Sequence, residues 1–165
     1  MPLIEFDRLP DDARIWVFAA DAPVDDVDAP RLLKAVDSFL RTWKAHGEPL
    51  TCAREFRDEH FLVIGVDQST AGASGCSIDG LFRVLKGIEE GIGASLVDGG
   101  RVYFRDVAGL VHGVPRPDWI LLAKQGEVRT TTPAFDTTIT TAAEYRTRFE
   151  GPAGDRWHAK LAPLS

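Results

Sequence analysis

Apolar residues recur along the chain at two spacings, one typical of strands and the other of helices. Short apolar runs rich in β-branched and aromatic residues predict strands at 14–20, 50–56, 61–67 and 101–106. The run 61–67 is apolar on both faces, which predicts a central strand. Two longer segments have apolar residues at spacings of three and four, which predict amphipathic helices. Their stripes are Leu32, Leu33, Val36, Phe39, Leu40 and Trp43, followed by Ile78, Leu81, Phe82, Leu85 and Ile88.

Proline, serine and glycine mark the expected ends of both helices. Pro30 suits the first turn of the first helix, and Gly47 suits the position just past its end. This interpretation puts His46 in the last helical turn. Ser77 is expected to cap the second helix, which glycines near residue 91 should end.

The order of these elements is β-α-β-β-α-β, which predicts an α+β fold with the topology of a ferredoxin-like sandwich. We assign residues 1–106 to this sandwich domain and residues 107–165 to a C-terminal appendage packed on it. Within the appendage, 118–126 predicts a short helix, and the Thr-rich segment after it favours extended structure.

Composition excludes several classes of protein. The chain has 165 residues, of which 44% are hydrophobic and 27% charged, as in an ordinary globular protein. Its net charge of −6 argues against general nucleic-acid binding, which needs clustered Lys and Arg. No apolar run is long enough to span a membrane, and we see no signal peptide. With only 2 cysteines, we expect a cytoplasmic location rather than a disulfide framework.

The segment 65–79, GVDQSTAGASGCSID, joins the third strand to the second helix. It is not a phosphate-binding loop of the Walker type, because no lysine lies between Lys44 and Lys86. Its backbone N–H groups, at the positive end of a helix dipole, could nevertheless bind an anion. The candidate ligand-binding residues here are Gly72, Ser74, Gly75 and Ser77. The alternative is that the glycines only allow a tight turn.

The predicted topology brings further polar residues to the start of the second helix. His46 arrives from the end of the first helix, close to Cys76. Arg14, Arg105 and Asp67 lie at the ends of the first, fourth and third predicted strands. We call these five residues the predicted rim.

Three hypotheses follow from this arrangement. The leading one is binding of a small anionic ligand, or an acidic group of a partner, at the predicted rim. The second is a cysteine-dependent enzyme or thiol redox protein, with Cys76 as nucleophile, His46 as base and Asp67 as orienting carboxylate. The third is a structural or protein-interaction module. A homodimer is expected if the appendage leaves the open face of the sheet uncovered.

The remaining histidines and the other cysteine carry weaker signals. Cys52 lies in the middle of a predicted strand and is expected in the core, whereas His60 is expected at a solvated turn. His112 and His158 lie in the appendage at spacings that do not match a metal site, so no metal or other cofactor is predicted.

Several of these segments resemble one family of bacterial proteins of about this length. They are RLPDDARIWVF, FLRTWKAHGEPL, GVDQSTAGASGCSID and DRWHAKL. The family is uncharacterised and sometimes labelled "ABC transporter ATPase", although this chain contains neither a Walker A motif nor an ABC signature. The resemblance implies that two motifs belong together, and it implies no activity. Their residues here are Trp43, His46, Gly47, Gly72, Gly75, Cys76, Ser77 and Asp79.

Overall fold

The computed structural model describes residues 3–69, 75–97 and 99–165, without the side chains of residues 75 and 76. Its first half contains β1 (Arg14–Ala19), α1 (Asp28–Leu40), β2 (Lys44–Ala45), β3 (Glu48–Pro49), β4 (Thr51–Arg57), β5 (Phe61–Asp67) and α2 (Gly75–Ile92). Its second half contains β6 (Val102–Arg105), β7 (Val111–Val114), α3 (Arg116–Lys124), β8 (Pro133–Phe135), α4 (Ala142–Arg148) and β9 (Glu150–Pro152). The fold is α+β, with antiparallel sheets. None of the described helices is long and apolar enough to cross a membrane.

The first helix is shorter than its apolar stripe predicts. α1 ends at Leu40, and the stripe continues to Trp43 through a turn in which the Trp43 N–H donates to the Leu40 carbonyl. The prediction that His46 lies in the last helical turn is therefore wrong. His46 and Gly47 instead form the turn of the β2–β3 hairpin, with φ angles of 52° and 80°. Positive φ at both central residues is typical of a type I′ hairpin turn.

The first sheet has the order β1-β5-β4, and both pairs of strands are antiparallel. This order confirms β5 as the central strand and the charged hairpin between β4 and β5. Arg14 of β1 lies opposite Val66, whereas Ala19 lies opposite Phe61 at the other end of β5. His60, predicted to be solvated, is buried beside this hairpin turn, where its Nδ1 lies 2.8 Å from the carbonyl oxygen of Asp58.

The fourth predicted strand does not join this sheet. β6 belongs to a second antiparallel sheet of order β7-β6-β8-β9, so the β-α-β-β-α-β order does not produce the predicted ferredoxin-like pairing of the fourth strand with the first. The predicted boundary at residue 106 falls between β6 and β7, two strands of one hairpin. Pairing β6 with β7 closes only a short hairpin loop. Pairing β6 with β1, which is distant in sequence, would close a longer loop and cost more conformational entropy.

Three apolar clusters hold the layers together. The first lies between one face of the first sheet and helices α1 and α2, and includes Trp43, Cys52 and Leu81. Cys52 is fully buried, which confirms its expected place in the core. The second cluster joins the two sheets, and the third lies between the second sheet and α3 with the C-terminal residues.

Residues of the predicted appendage cover the second face of the first sheet. Phe135, Tyr145 and Phe149 pack there against residues such as Ile15 and Phe61. The homodimer was expected only for an uncovered face, and these contacts remove that reason for it.

Candidate functional site

The predicted rim and the loop residues before α2 lie only partly within the described residues. Gly72 and Ser74 are outside them, as is the side chain of Cys76. Ser77 was predicted as the cap of the second helix but lies inside its first turn, because α2 already begins at Gly75. The roles of these five residues at a site therefore stay predictions.

Trp43 links the chain after α1 to the start of α2. Its indole Nε1 donates a 2.8 Å hydrogen bond to the backbone carbonyl of Ser77. The Trp43 ring packs edge-on against Trp16 of β1, with 6.3 Å between the ring centroids. β2 contacts α2, and His46 follows β2 on an exposed turn. The structure thus places Trp16, Trp43 and the β2–β3 hairpin beside the start of α2.

Arg14 lies at the same end of the sheet. Its guanidinium carbon is 5.0 Å from the centroid of the Trp16 ring, a cation–π contact. Within the described residues this guanidinium forms no ion pair. A cation–π contact uses the face of the guanidinium and leaves its N–H groups at the edge, where a bound anion could accept them.

Arg105 does not lie with Arg14. Its guanidinium donates to Glu150, to Asp58 and to the Gly109 carbonyl, at distances of 2.9 to 3.2 Å. Asp58 belongs to the turn that precedes β5, whereas Arg14 lies opposite the end of that strand. The expectation that one rim contains both arginines is therefore wrong. These ion pairs raise the pKa of Arg105, with the hydrogen bond to Glu150 contributing most.

Asp67 ends β5, one residue after the partner of Arg14. Its Oδ1 accepts hydrogen bonds from the Ser69 hydroxyl at 2.7 Å and from the Ser69 N–H at 2.9 Å. These hydrogen bonds hold the pKa of Asp67 below its usual value. Its predicted role in orienting His46 stays a prediction.

A groove of about 340 Å³ runs along the outer edge of β1, the edge that does not face β5. One side is lined by Phe82 of α2 and by residues 96, 97 and 99–101, and the other by Thr137, Thr138 and Thr140. This is the edge at which a ferredoxin-like sandwich places its fourth strand. Because β6 pairs in the second sheet instead, the edge stays open along part of its length. We call this feature the β1 groove.

The β1 groove carries positive charge. Arg14 and Arg101 line it, and its described lining contains no aspartate or glutamate. Arg101 donates to the Gly113 carbonyl at 3.2 Å and, like Arg14, forms no ion pair within the described ranges. The described lining therefore contributes two positive charges and no negative charge, whereas Asp98, between the lining residues Val97 and Gly99 in sequence, lies outside the described residues.

A second, larger cleft of about 760 Å³ contains His112, whose spacing in the sequence does not match a metal site. His112 Nε2 donates to Asp106 Oδ2 at 2.6 Å, and the imidazole stacks on Phe104. Asp106 Oδ1 also accepts the N–H groups of Ala108 and Leu110. These contacts, led by the His112 hydrogen bond, lower the pKa of Asp106.

The signal for this pair was present in the sequence, since Asp106 and His112 flank a Gly-containing hairpin turn between two apolar runs. Recognising it required knowing that β6 and β7 pair with each other. Glu127 and Arg129 both line the cleft, so its charges oppose each other and favour neither an anion nor a cation. Within the described ranges, no group of three His, Cys, Asp or Glu side chains could hold a metal ion.

Comparisons with known proteins do not assign this chain to a family. The resemblance to the uncharacterised bacterial family therefore stays a prediction. No family model, no curated protein and no solved structure matches the chain.

Proposed function

We propose that this protein binds a small anionic ligand, or an acidic group of a partner, in the β1 groove beside the start of α2. The observation that supports this most directly is the pair of arginines, Arg14 and Arg101, in a groove whose described lining has no acidic side chain. A charge-assisted hydrogen bond to arginine is about twice as strong as a neutral one, so each guanidinium favours an anionic occupant.

The start of α2 supports the same proposal. The Arg14 guanidinium lies over the Trp16 ring, and Trp16 packs against Trp43. Trp43 in turn donates a hydrogen bond to the carbonyl of Ser77 in the first turn of α2. The positive end of the α2 dipole thus lies on the same side of the sheet as Arg14. Gly72, Ser74, Gly75 and Ser77 remain proposed contributors of N–H or hydroxyl groups, with His46 and Cys76 as proposed neighbours. Arg105 is not part of this proposal, because its N–H groups already bind protein oxygens.

Titration calorimetry with inorganic pyrophosphate and with citrate tests the proposal. We expect binding that weakens with added salt and falls about ten-fold in Arg14→Gln and in Arg101→Gln. Arg116→Gln is the matched control, because Arg116 also stacks on a tryptophan, with its guanidinium carbon 5.5 Å from the Trp157 ring centroid, but lies outside the groove. Unchanged binding in Arg14→Gln and Arg101→Gln would overturn the proposal, and so would failure of both anions and of an acidic peptide to bind.

A further inference from the structure

We propose that the ligand of the β1 groove is an extended acidic peptide of a partner protein, which adds as a strand to the open edge of β1. This inference rests on the proposed anion binding and specifies its ligand. It is derived from the backbone groups of β1 rather than from its side chains.

The hydrogen-bonding pattern shows which groups of β1 face the groove. In an antiparallel pair, both backbone groups of a residue point to the same side, and successive residues alternate. The Ala20 N–H donates to the His60 carbonyl beyond the start of β5, so Phe18, Trp16 and Arg14 also pair with β5. Ile15, Val17 and Ala19 therefore point their N–H and C=O groups toward the groove.

Both ends of this edge already have partners. The Ile15 N–H donates to the Thr140 carbonyl at 2.9 Å, and the Tyr103 hydroxyl donates to the Ala19 carbonyl at 3.0 Å. Between them, the Val17 N–H and C=O have no hydrogen bond to any described residue outside the β1–β5 pair. Thr140 and Tyr103 thus delimit a short open stretch centred on Val17.

A peptide matches this stretch better than a simple anion does. A fully ionised anion can accept the Val17 N–H but cannot donate to the Val17 C=O, whereas the backbone of a strand does both. Trp16 and Phe82 offer apolar surface on the α2 side, and Thr137 and Thr138 offer hydroxyl groups on the other. Arg14 and Arg101 then select acidic side chains among extended peptides.

A second copy of this chain fits the groove less well. Pairing two β1 edges would put Arg14 and Arg101 of both copies into one interface, and four like charges there are unfavourable. Residues on both sides of the groove leave room for one extended strand. They would hinder the approach of a second folded sheet. The partner is therefore a flexible acidic segment.

Titration of capped acetyl-Thr-Val-Glu-Val-Glu-Thr-amide tests the inference, with the Val17 amide followed by NMR. We expect saturable binding and slower hydrogen exchange of the Val17 amide. The same peptide with N-methylated alternate amides should bind about ten-fold more weakly or worse, and so should the peptide with lysine in place of glutamate. Val17→Pro should lose the peptide but still bind pyrophosphate, because the missing N–H faces the groove and not β5.

The outcomes separate this inference from the proposed function. If pyrophosphate binds but the N-methylated peptides bind as well as the parent peptide, strand addition is overturned and anion binding stands. If neither pyrophosphate nor the peptides bind, both the strand-addition inference and the proposed function are overturned. Concentration-dependent dimerisation that Val17→Pro abolishes would identify a second copy as the occupant and overturn the partner proposal. If Val17→Pro does not fold, comparison of the parent peptide with the N-methylated and lysine-containing peptides still tests strand addition.

Discussion

The indole N–H of Trp43 donates a 2.8 Å hydrogen bond to the backbone carbonyl of Ser77, which joins the chain that follows α1 to the first turn of α2. Trp43 is only 3% exposed and also contacts Trp16 and Phe39. A single side chain therefore connects both helices of the first layer to the sheet below them. Its position explains why the apolar stripe of α1 extends beyond the end of the helix.

Truncation of Trp43 should destabilise the protein strongly. We expect Trp43→Ala to lower the free energy of unfolding by about 3–5 kcal/mol, because it leaves a cavity among buried apolar side chains. Trp43→Phe keeps an aromatic ring but removes the donor to Ser77, so its loss should be smaller. Urea denaturation measures both. Equal losses in the two variants would show that the hydrogen bond, and not the packing, dominates.

The turn position of His46 leads to a different expectation. Since its φ of 52° is unfavourable for most residues, His46→Asn should preserve or raise stability, and His46→Val should lower it by about 1–2 kcal/mol. His46→Ala should cost far less than Trp43→Ala, as the exposed position implies. The same urea series tests this. An equal loss in His46→Ala would contradict an exposed turn and remove His46 from the candidate site.

His158 should make stability depend on pH. Burial of its ring, which is 0% exposed, lowers its pKa from 6.5 to about 4, and nearby Asp136 only partly offsets this. The folded state then binds fewer protons than the unfolded state between these values. Stability is fully present above pH 6.5 and falls by about 3 kcal/mol as pH decreases toward 4.

Chemical denaturation at several pH values between 4 and 6.5 measures this dependence. His158→Phe, which cannot titrate, should flatten the slope in this window. The carboxylates whose pKa is lowered begin to lose their contribution only as pH falls toward their unfolded values of 3.8 for Asp and 4.5 for Glu, so the slope above about pH 5 distinguishes His158 from them. A slope that persists in His158→Phe would assign the titration to another group.

Thiol labelling can test the hypothesis of a cysteine-dependent enzyme. Burial raises the pKa of Cys52 to about 12, so the folded protein should react with iodoacetamide only through Cys76. Reaction of Cys76 well below its usual pKa of about 8.5 would favour a catalytic or redox thiol. The Cys76→Ser variant gives the background rate. Labelling only at alkaline pH, or only after unfolding, would contradict the enzyme hypothesis.

Arg105 and Glu150 connect the second sheet to the hairpin of the first. Glu150 also accepts from Arg57, and Arg105 also donates to Asp58, so four charged groups form one network. Arg105→Gln should lower the free energy of unfolding by about 1–3 kcal/mol, because partly buried carboxylates lose their partner. Arg116→Gln, at an exposed position without an ion pair in the described structure, should be nearly neutral in the same thermal or urea denaturation.

Local patterns in the sequence determined most of the elements. Alternation and β-branched residues located β1, β4, β5 and β6, and helical spacing located α1 and α2. The buried position of Cys52 also followed from its place in a strand. Each of these predictions depends on neighbouring residues along the chain, and burial of one face determines their spacing whatever the topology.

The tertiary structure alone decided how the elements pair. The sequence of β6 is typical of a strand but does not indicate which strand it pairs with. It forms a short hairpin with β7 instead of the expected pair with β1. That choice separated Arg105 from Arg14 and left the Val17 edge open. His46 lies elsewhere than predicted for a related reason, since α1 ends at Leu40 and the chain continues into a hairpin whose two turn residues have positive φ angles. The choice of a pairing partner and the end of a helix depend on contacts with residues outside the segment itself, which its own periodicity does not encode.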